Sequence, residues 1–286
     1  MNSETYITEN YKSGSADFKG TANLSLFIGN QLFMLTVFNE SFTEVQEIVH
    51  VKMNDTGAVP QELSEKIRFL IANYRLDQRA FKNVNICILN SSFTLTPQAY
   101  ALQENTKTYL SFANGAEQDV KNSFVHKFDQ LNFCYFFPEN IIPQLEKTFK
   151  NATVRHAGAV TIDLLFSNHS LKNCNLFLNF NAGVFELAAK ESNKLLYYNV
   201  FNYENNEDVL YYLLFMMEQY ELNPLTCRLV IAGQMEAGSD LLKAIKKYIK
   251  QVDFAVNDKS FSNSFSELKI PLHSFFSLTN QHLCVS

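Results

Sequence analysis

The sequence lacks several features that would tie it to a particular chemistry. It has no tryptophan, no Cys-x-x-Cys pair, no His-Glu-x-x-His run and no apolar run long enough to span a membrane. The two paired motifs are common signatures of zinc sites, so we expect no metal centre. The net charge of −5 leaves no basic footprint for nucleic acid. The sequence therefore predicts no metal, no nucleic-acid partner and no direct insertion into a membrane.

What is present is the composition of a globular protein. The 286 residues are 47% hydrophobic and 19% charged, enough for one large domain or two ordinary ones. The 26 Phe and 13 Tyr residues are interpreted as core and sheet packing, with an aromatic binding surface as the alternative. The five cysteines are scattered, four of them in apolar strand-like runs, which predicts reduced and buried thiols. The polar N-terminus lacks the order of a signal peptide, so we expect a cytoplasmic protein.

The second half of the chain reads as strand, strand, strand, helix, strand, helix, strand. Turn residues separate the apolar runs, and helix caps precede the two amphipathic stretches. The predicted elements are strands at Cys174–Asn179, Val184–Lys190 and Lys194–Phe201, a helix from Asn205 or Asn206 to about Glu221, a strand at Cys227–Ala232, a helix capped by Ser239 with an apolar stripe of Leu241, Ile245, Tyr248 and Ile249, and a strand at Val252–Val256. A short helical stretch is predicted near Ser274–His282. The lysine-rich run Lys243–Lys250 is interpreted as a solvated helix face rather than a binding patch.

The first half can be read in the same order. The predicted elements are strands at Ala22–Ile28, Leu32–Phe38 and Val45–Met53, a helix opened by Pro60, and a buried parallel-type strand at Val84–Leu89. Beyond them we predict a short helix started by Pro97 and a strand around Tyr109–Phe112.

A strand–helix–strand–helix unit follows, with predicted elements at Leu131–Phe137, Glu139–Phe149, Ala152–Arg155 and Ala157–Phe166. We interpret these elements as a βαβα insertion subdomain at about 126–167. The predicted domains are then a loose N-terminal arm at 1–20, which has room for one edge strand, a first lobe at 21–170 that includes the insertion, and a second lobe at 171–286.

This order of elements resembles the actin-like ATPase fold of sugar kinases, DnaK-type chaperones and actin. The insertion, with a strand ending at Phe137-Pro138, resembles that of the FtsA and PilM branch. The runs Tyr197–Phe201, Glu207–Tyr212 and Leu229–Gly233 are also similar to an uncharacterised bacterial family typical of Bacteroidetes. The resemblance covers about residues 20–256. It implies a mixed α/β, duplicated actin-like ATPase (ribonuclease H-like) fold.

Active members of that fold bind ATP between the lobes, where each first hairpin carries a D-x-G type turn whose Asp orients Mg²⁺ or water. The matching turns here are Gly29-Asn30 and Asn181-Ala182-Gly183, which offer an amide but no acid. The adenosine loop, normally a Gly-Gly pair, is matched by 232–239, with Gly233 present and Gly238-Ser239 opening a helix. The candidate nucleotide-binding residues are Gly29, Asn30, Asn181, Gly183, Gly233, Gly238 and Ser239. Ordinary hairpin and capping signals explain the same residues without a ligand.

Because phosphoryl transfer depends on a metal ion and positioned charge, we expect no catalytic residue and no fast hydrolysis. Asp163 and Asp208 are the nearest acidic alternatives, and His156 lies seven residues before Asp163. Two functions remain open. One is a non-catalytic protein that acts through contacts with a protein partner or as a homodimer, with no cofactor. The other is a switch that binds ATP or ADP with little or no hydrolysis. A third function, a sugar or acetate kinase, needs a general-base Asp in the cleft, and no motif of this sequence supplies one.

Overall fold

The computed structural model describes residues 6–12, 21–29, 31–53, 63–100, 105–114, 123–128, 131–138, 140–181 and 183–284. The strands are β1 (Tyr6–Lys12), β2 (Ala22–Ile28), β3 (Leu32–Phe38), β4 (Val45–Met53), β5 (Phe81–Ile88), β6 (Phe93–Pro97), β7 (Ser123–Lys127), β8 (Leu131–Phe136), β9 (Ala152–His156), β10 (Leu176–Asn181), β11 (Val184–Glu191), β12 (Lys194–Asn202), β13 (Arg228–Gly233) and β14 (Gln251–Phe254). The helices are α1 (Leu63–Asn73), α2 (Thr106–Asn114), α3 (Ile141–Thr148), α4 (Ala157–Ser167), α5 (Asn206–Gln219), α6 (Asp240–Tyr248), α7 (Ser262–Glu267) and α8 (Phe276–Asn280).

Two sheets repeat one arrangement, and we call them, with their helices, the first and second lobes. The first has the strand order β1-β4-β3-β2-β5-β9 and the second β12-β11-β10-β13-β14. In each repeat the first three strands are antiparallel, the fourth pairs in parallel with the first, and the fifth pairs in parallel with the fourth. The duplication predicted from the sequence is therefore confirmed. Residues 6–12 of the predicted arm are the edge strand β1, paired with β4.

Local signals explain the two helices of the second lobe. Asn205 and Asp208 form a capping box at the start of α5, and the Ser239 hydroxyl accepts the N–H of Leu242 at the start of α6. Tyr248, predicted in the apolar stripe of α6, is instead 50% exposed. No helix among the described residues is long and apolar enough to cross a membrane.

The predicted βαβα insertion is divided between two sheets. The elements occur in the predicted order, but β8 pairs with β6 and β7 in a separate three-stranded sheet, whereas β9 pairs in parallel with β5 of the first lobe. The inserted sheet is therefore built from 93–136 rather than from 126–167. Periodicity identifies a strand but not its partner, because pairing depends on residues distant in the sequence.

One prediction between β5 and β8 was wrong, because the segment around Tyr109–Phe112, predicted as a strand, lies inside α2. The short helix predicted to start at Pro97 is a single 3-10 turn at Gln98–Tyr100, directly after the end of β6 at Pro97. Leu110 is buried whereas Phe112 is 91% exposed. Residues two apart share a face in a strand but lie on nearly opposite sides of a helix. Contact of α2 with β6 and β8 has outweighed the strand propensity of the aromatic residues.

Residues 257–284, which we call the closing segment, pack mainly on the first lobe although the sequence assigned them to the second. Phe261 lies 5.6 Å from Phe38 between ring centroids, and the Ser264 hydroxyl accepts the N–H of Val45. Phe276, Leu278 and further apolar side chains of the segment belong to the same buried cluster as β2–β5. Burying each such side chain stabilises the fold by about 1.5–3 kcal/mol. The closing segment therefore completes the core of the first lobe.

Candidate functional site

The two hairpin turns of the predicted site have different surroundings. In the first, Gly29 is buried and its N–H donates to the carbonyl of Leu32 at 2.7 Å; Asn30 lies outside the described residues. In the second, Gly183 has φ = +73° and its hypothetical Cβ would meet open space. Asn181 is only 5% exposed, and its Nδ2 has no hydrogen-bond partner among the described residues.

The predicted adenosine loop begins at a glycine that the packing requires. Gly233 has φ = +81°, and a Cβ built there would lie 2.1 Å from the carbonyl oxygen of Phe180 on the neighbouring strand. Its N–H donates to the carbonyl of His273 at 2.9 Å. A positive φ and close backbone contact both favour glycine. Gly233 is therefore explained by its contacts within the chain.

The other two residues of this loop lie at the start of α6. Gly238 has no atom within 4 Å of its hypothetical Cβ. The Ser239 hydroxyl accepts the N–H of Leu242 at 3.2 Å and lies 3.1 Å from the sulfur of Met235. The Ser239 hydroxyl therefore caps the helix, as the sequence predicted.

Asn181 and Gly233 are brought together on one small cavity. It has almost no volume that a water molecule could occupy, about 0 Å³, and is lined by Met34 from β3, by the closing segment at 275–278, and by Asn179, Phe180, Asn181, Gly233 and Gln234. Small-molecule sites usually measure about 300–1,000 Å³. Gly29, Gly183, Gly238 and Ser239 are not among the described residues that line it. The cavity is too small for a nucleotide in this conformation.

Side chains from both lobes close over this loop. Gln234 Nε2 lies 2.7 Å from His50 Nε2 on β4, which joins the loop to the first lobe. His273 Nε2 donates to the carbonyl of Met235 at 2.7 Å, and burial lowers the pKa of this imidazole. Phe275 packs edge-on against His50 at 5.9 Å with φ = +56°. A non-glycine residue in this conformation costs about 1–3 kcal/mol, which surrounding contacts must offset.

A buried carboxyl group that the sequence reading missed lies beneath the cavity. Glu186 on β11 is fully buried and accepts hydrogen bonds from Thr161 (2.7 Å), Tyr198 (2.8 Å) and Asn179 (2.6 Å). Burial raises its pKa, and the three hydrogen bonds oppose that rise. An acidic residue inside the apolar run Val184–Ala189 was the available signal. Its oxygens are occupied by the protein, so the group joins β10, β11, β12 and α4.

A second buried polar group ties the closing segment to the first lobe. Arg155 on β9 donates to the carbonyls of Gln281, at 2.7 Å, and Cys284. The Gln281 side chain donates to the carbonyl of Leu26 at 3.1 Å and accepts from the thiol of Cys87 at 2.7 Å. Because an unmade hydrogen bond of a buried group costs about 1–3 kcal/mol, this arrangement fixes the position of the segment.

The residues considered as alternative catalytic groups, His156, Asp163 and Asp208, all have structural partners. His156 caps α4 by accepting the N–H of Gly158 at 3.0 Å, and burial lowers its pKa to about 3. Asp163 pairs with His126 at 3.1 Å, so His156 and Asp163 are engaged with different residues. Asp208 belongs to the capping box of α5.

The thiols and remaining acids form no metal site in the described part of the chain. All five cysteines are free and buried, as predicted, and burial raises their pKa values. No group of three or more His, Cys, Asp or Glu side chains there is arranged to hold a metal ion.

Two larger cavities lie away from the predicted nucleotide residues. One of about 770 Å³ lies between the inserted sheet and the β11–β12 turn, with Phe128, Leu131 and Phe166 in its wall. The other, of about 850 Å³, is lined by polar residues that include Arg228 and Lys259. Either volume is in the range of ligand sites, but neither is lined by a described residue of the predicted nucleotide site.

Comparison with known proteins identifies the fold. The model of a family described as "Protein of unknown function (DUF3822)" matches residues 12–252. No curated protein matches the sequence. A Bacteroides thetaiotaomicron protein with an actin-like ATPase fold and unknown function is 20% identical, with a TM-score of 0.68 over 90% of this chain and 100% of that one. The type IV pilus biogenesis complex PilM-PilN aligns at 11% identity and a TM-score of 0.55, over 92% and 99%. The chain therefore has the actin-like ATPase fold.

Proposed function

Because this chain belongs to the DUF3822 family, whose function is not established, we propose from its own geometry that it is a non-catalytic protein of the actin-like fold. In this proposal it acts through contacts with other proteins. One observation carries it: the loop at Gly233 and the turn at Asn181 are covered by the protein's own side chains, and the cavity between them has almost no volume that a water molecule could occupy.

The residues at the loop support this proposal in two ways. The Gly233 N–H, a donor that could face a ligand, is already bonded to His273. The turn at Asn181 supplies a neutral amide where Mg²⁺ would be held by a carboxylate. Positioned charge and metal are the main contributions of a protein to phosphoryl transfer, so this arrangement favours a role without hydrolysis.

The fold and the thiols are consistent with such a role. PilM, a structural relative, is described in a complex with PilN, which supports protein partners for a protein of this fold. The free, buried cysteines are suited to the reducing conditions of the cytoplasm, where we propose that the protein works.

A nucleotide-binding switch is the second candidate. The buried Nδ2 of Asn181 has no hydrogen-bond partner among the described residues and could donate to a phosphate oxygen once the lobes separate. This function requires Phe275 and the Gln234–His50 contact to move away from the loop.

Thermal unfolding with millimolar ATP or ADP, with and without Mg²⁺, separates the two candidates. A nucleotide at one hundred times its Kd would stabilise the fold by about 2.7 kcal/mol. We expect no shift in the midpoint and no phosphate release above background. A reproducible increase in the midpoint would favour the switch. Hydrolysis that Asn181→Ala abolishes, in a variant with wild-type circular dichroism, would contradict a non-catalytic role.

A further inference from the structure

The outer surface of α5 carries a row of aromatic and acidic side chains. Glu207, Tyr211, Phe215 and Glu218 recur at intervals of three or four residues and therefore lie on one side of the helix. Tyr211 is 61% exposed and Phe215 48% exposed. Their rings stack at 5.7 Å, so they form a continuous apolar patch between two carboxylates.

The adjacent helix α6 presents the opposite charge. Lys243, Lys246 and Lys247 lie on its exposed surface with Tyr248, and Lys250 follows its end. Lys243 pairs with Asp240 on the same helix. In the described part of the chain, Glu207, Glu218, Lys246 and Lys247 make no ion pair with another residue.

The topology sets the direction of these two helices. Helix α5 joins β12 to β13, and α6 joins β13 to β14, and all three strands run in the same direction. Each helix therefore returns against the strands, so α5 and α6, which are in contact, run side by side in parallel. A two-fold axis that lies in the interface and runs parallel to the helices would bring α5 of one copy against α6 of the other in parallel orientation.

We propose that α5 and α6 form the contact surface of a symmetric homodimer, in which the aromatic–acidic row of α5 packs against the lysine row of α6 in a second copy. In that arrangement Glu207 faces the beginning of the partner's α6, and Glu218 faces the lysines near its end. The two-fold axis repeats both sets of contacts.

The occupant is a second copy because this surface carries both halves of the complementarity. A symmetric interface uses one patch twice and must be self-complementary. The acidic row alone could pair with any basic segment, and the lysine row alone could pair with any acidic segment. Because the two rows are adjacent and parallel, a two-fold rotation places the acidic row of each copy against the lysine row of the other. The proposal rests on the proposed function, since it names the protein contacted and the surface used.

Sedimentation equilibrium of the full chain over a range of concentrations measures the association. We expect a monomer–dimer equilibrium in low salt that shifts towards monomer as salt screens the exposed pairs. Two charge-reversed variants test the contact, one with Glu207→Lys and Glu218→Lys, the other with Lys246→Glu and Lys247→Glu. Each places like charges opposite one another, and we expect the dissociation constant to rise about tenfold or more.

Mixing the two variants is the decisive measurement. One variant then has two basic rows and the other two acidic rows, so the heterodimer regains complementarity at both contacts and should form when neither variant self-associates. The control variants Glu146→Lys and Lys147→Glu alter exposed charges on α3 and should associate like the wild type. Circular dichroism and thermal unfolding verify that every variant is folded.

A wild-type protein that stays monomeric at all concentrations would overturn the homodimer. So would a dimer that both reversed variants retain, or one that fails to reform in the mixture. These outcomes are independent of the nucleotide measurements. A monomer that neither binds nor hydrolyses ATP would reject this interface while leaving the non-catalytic role in place. ATP hydrolysis by an intact dimer would reject the non-catalytic role while leaving the interface in place.

Discussion

Gly233 and Gly238 lie near the two ends of the predicted adenosine loop and have opposite surroundings in the fold. Gly233 has φ = +81° and would bring a Cβ within 2.1 Å of the Phe180 carbonyl, whereas Gly238 faces open space. The same residue type in one loop is therefore required at one position for packing and is replaceable at the other.

Replacing each glycine by alanine tests that distinction. We expect Gly233→Ala to lower the free energy of unfolding by about 2 kcal/mol or more, because it combines backbone strain with a steric clash. Gly238→Ala, the matched control, should change it by about 0.5 kcal/mol or less. Urea unfolding followed by circular dichroism measures both. Equal stability of the two variants would show that the close contact at Gly233 relaxes at little cost.

His156 links stability to pH. It is fully buried, and its pKa is lowered to about 3 by that burial, while an unfolded-state histidine titrates near 6.5. Because the folded state disfavours the charged form, the stabilisation is complete above about pH 6.5 and is lost as the pH falls towards 3. His273 and His282 are shifted in the same direction by burial.

We therefore expect the free energy of unfolding to fall as the pH decreases from about 6.5 to about 4.5, with His156 contributing up to about 1.4 kcal/mol per pH unit. In His156→Gln the decrease should be shallower, although the variant is less stable near neutral pH because the cap is altered. His169→Gln, at an exposed histidine, should retain the wild-type slope. Identical slopes in all three proteins, from urea unfolding at each pH, would exclude His156 as a source.

At the scale of single elements, the packing of the closing segment is the main feature that the sequence did not predict. A short helix was predicted near Ser274–His282, and α8 lies there. Its burial could not be predicted, because Phe276 packs 6.0 Å from Phe177 of β10 and α8 contacts β2, β3 and α4. Contacts of this kind depend on residues that are far apart in the sequence.

The burial of α8 predicts a large effect from one truncation. Phe276 is fully buried, so Phe276→Ala should lower the free energy of unfolding by about 3–5 kcal/mol through lost burial and a cavity. Leu283→Ala, at a residue that is 44% exposed, is the control and should cost far less. Guanidinium unfolding compares them. A small loss in Phe276→Ala would show that the contact between the closing segment and the lobes is loosely packed.

Whole-molecule architecture was predictable where it follows from local order. Strand periodicity, hairpin turns and helix caps fixed nearly every element of the two repeats, and the repeated order itself indicated the fold. Those signals did not identify which sheet β8 and β9 would join, and Glu186 was overlooked because its three donors come from three other elements. Side chains from both lobes fill the space between Asn181 and Gly233. Contacts between the lobes cannot be predicted from local sequence patterns.

The long-range contacts of the closing segment have a consequence for synthesis. Ser264 bonds Val45 across 219 residues, and Gln281 bonds Leu26 across 255. The strands of the first lobe therefore leave the ribosome well before the side chains that complete their core. Domains often fold in the order of translation, but here the N-terminal half must wait for the C-terminal one. Nascent first-lobe strands would expose apolar surface during that interval, when chaperones or early contact with another chain could protect them.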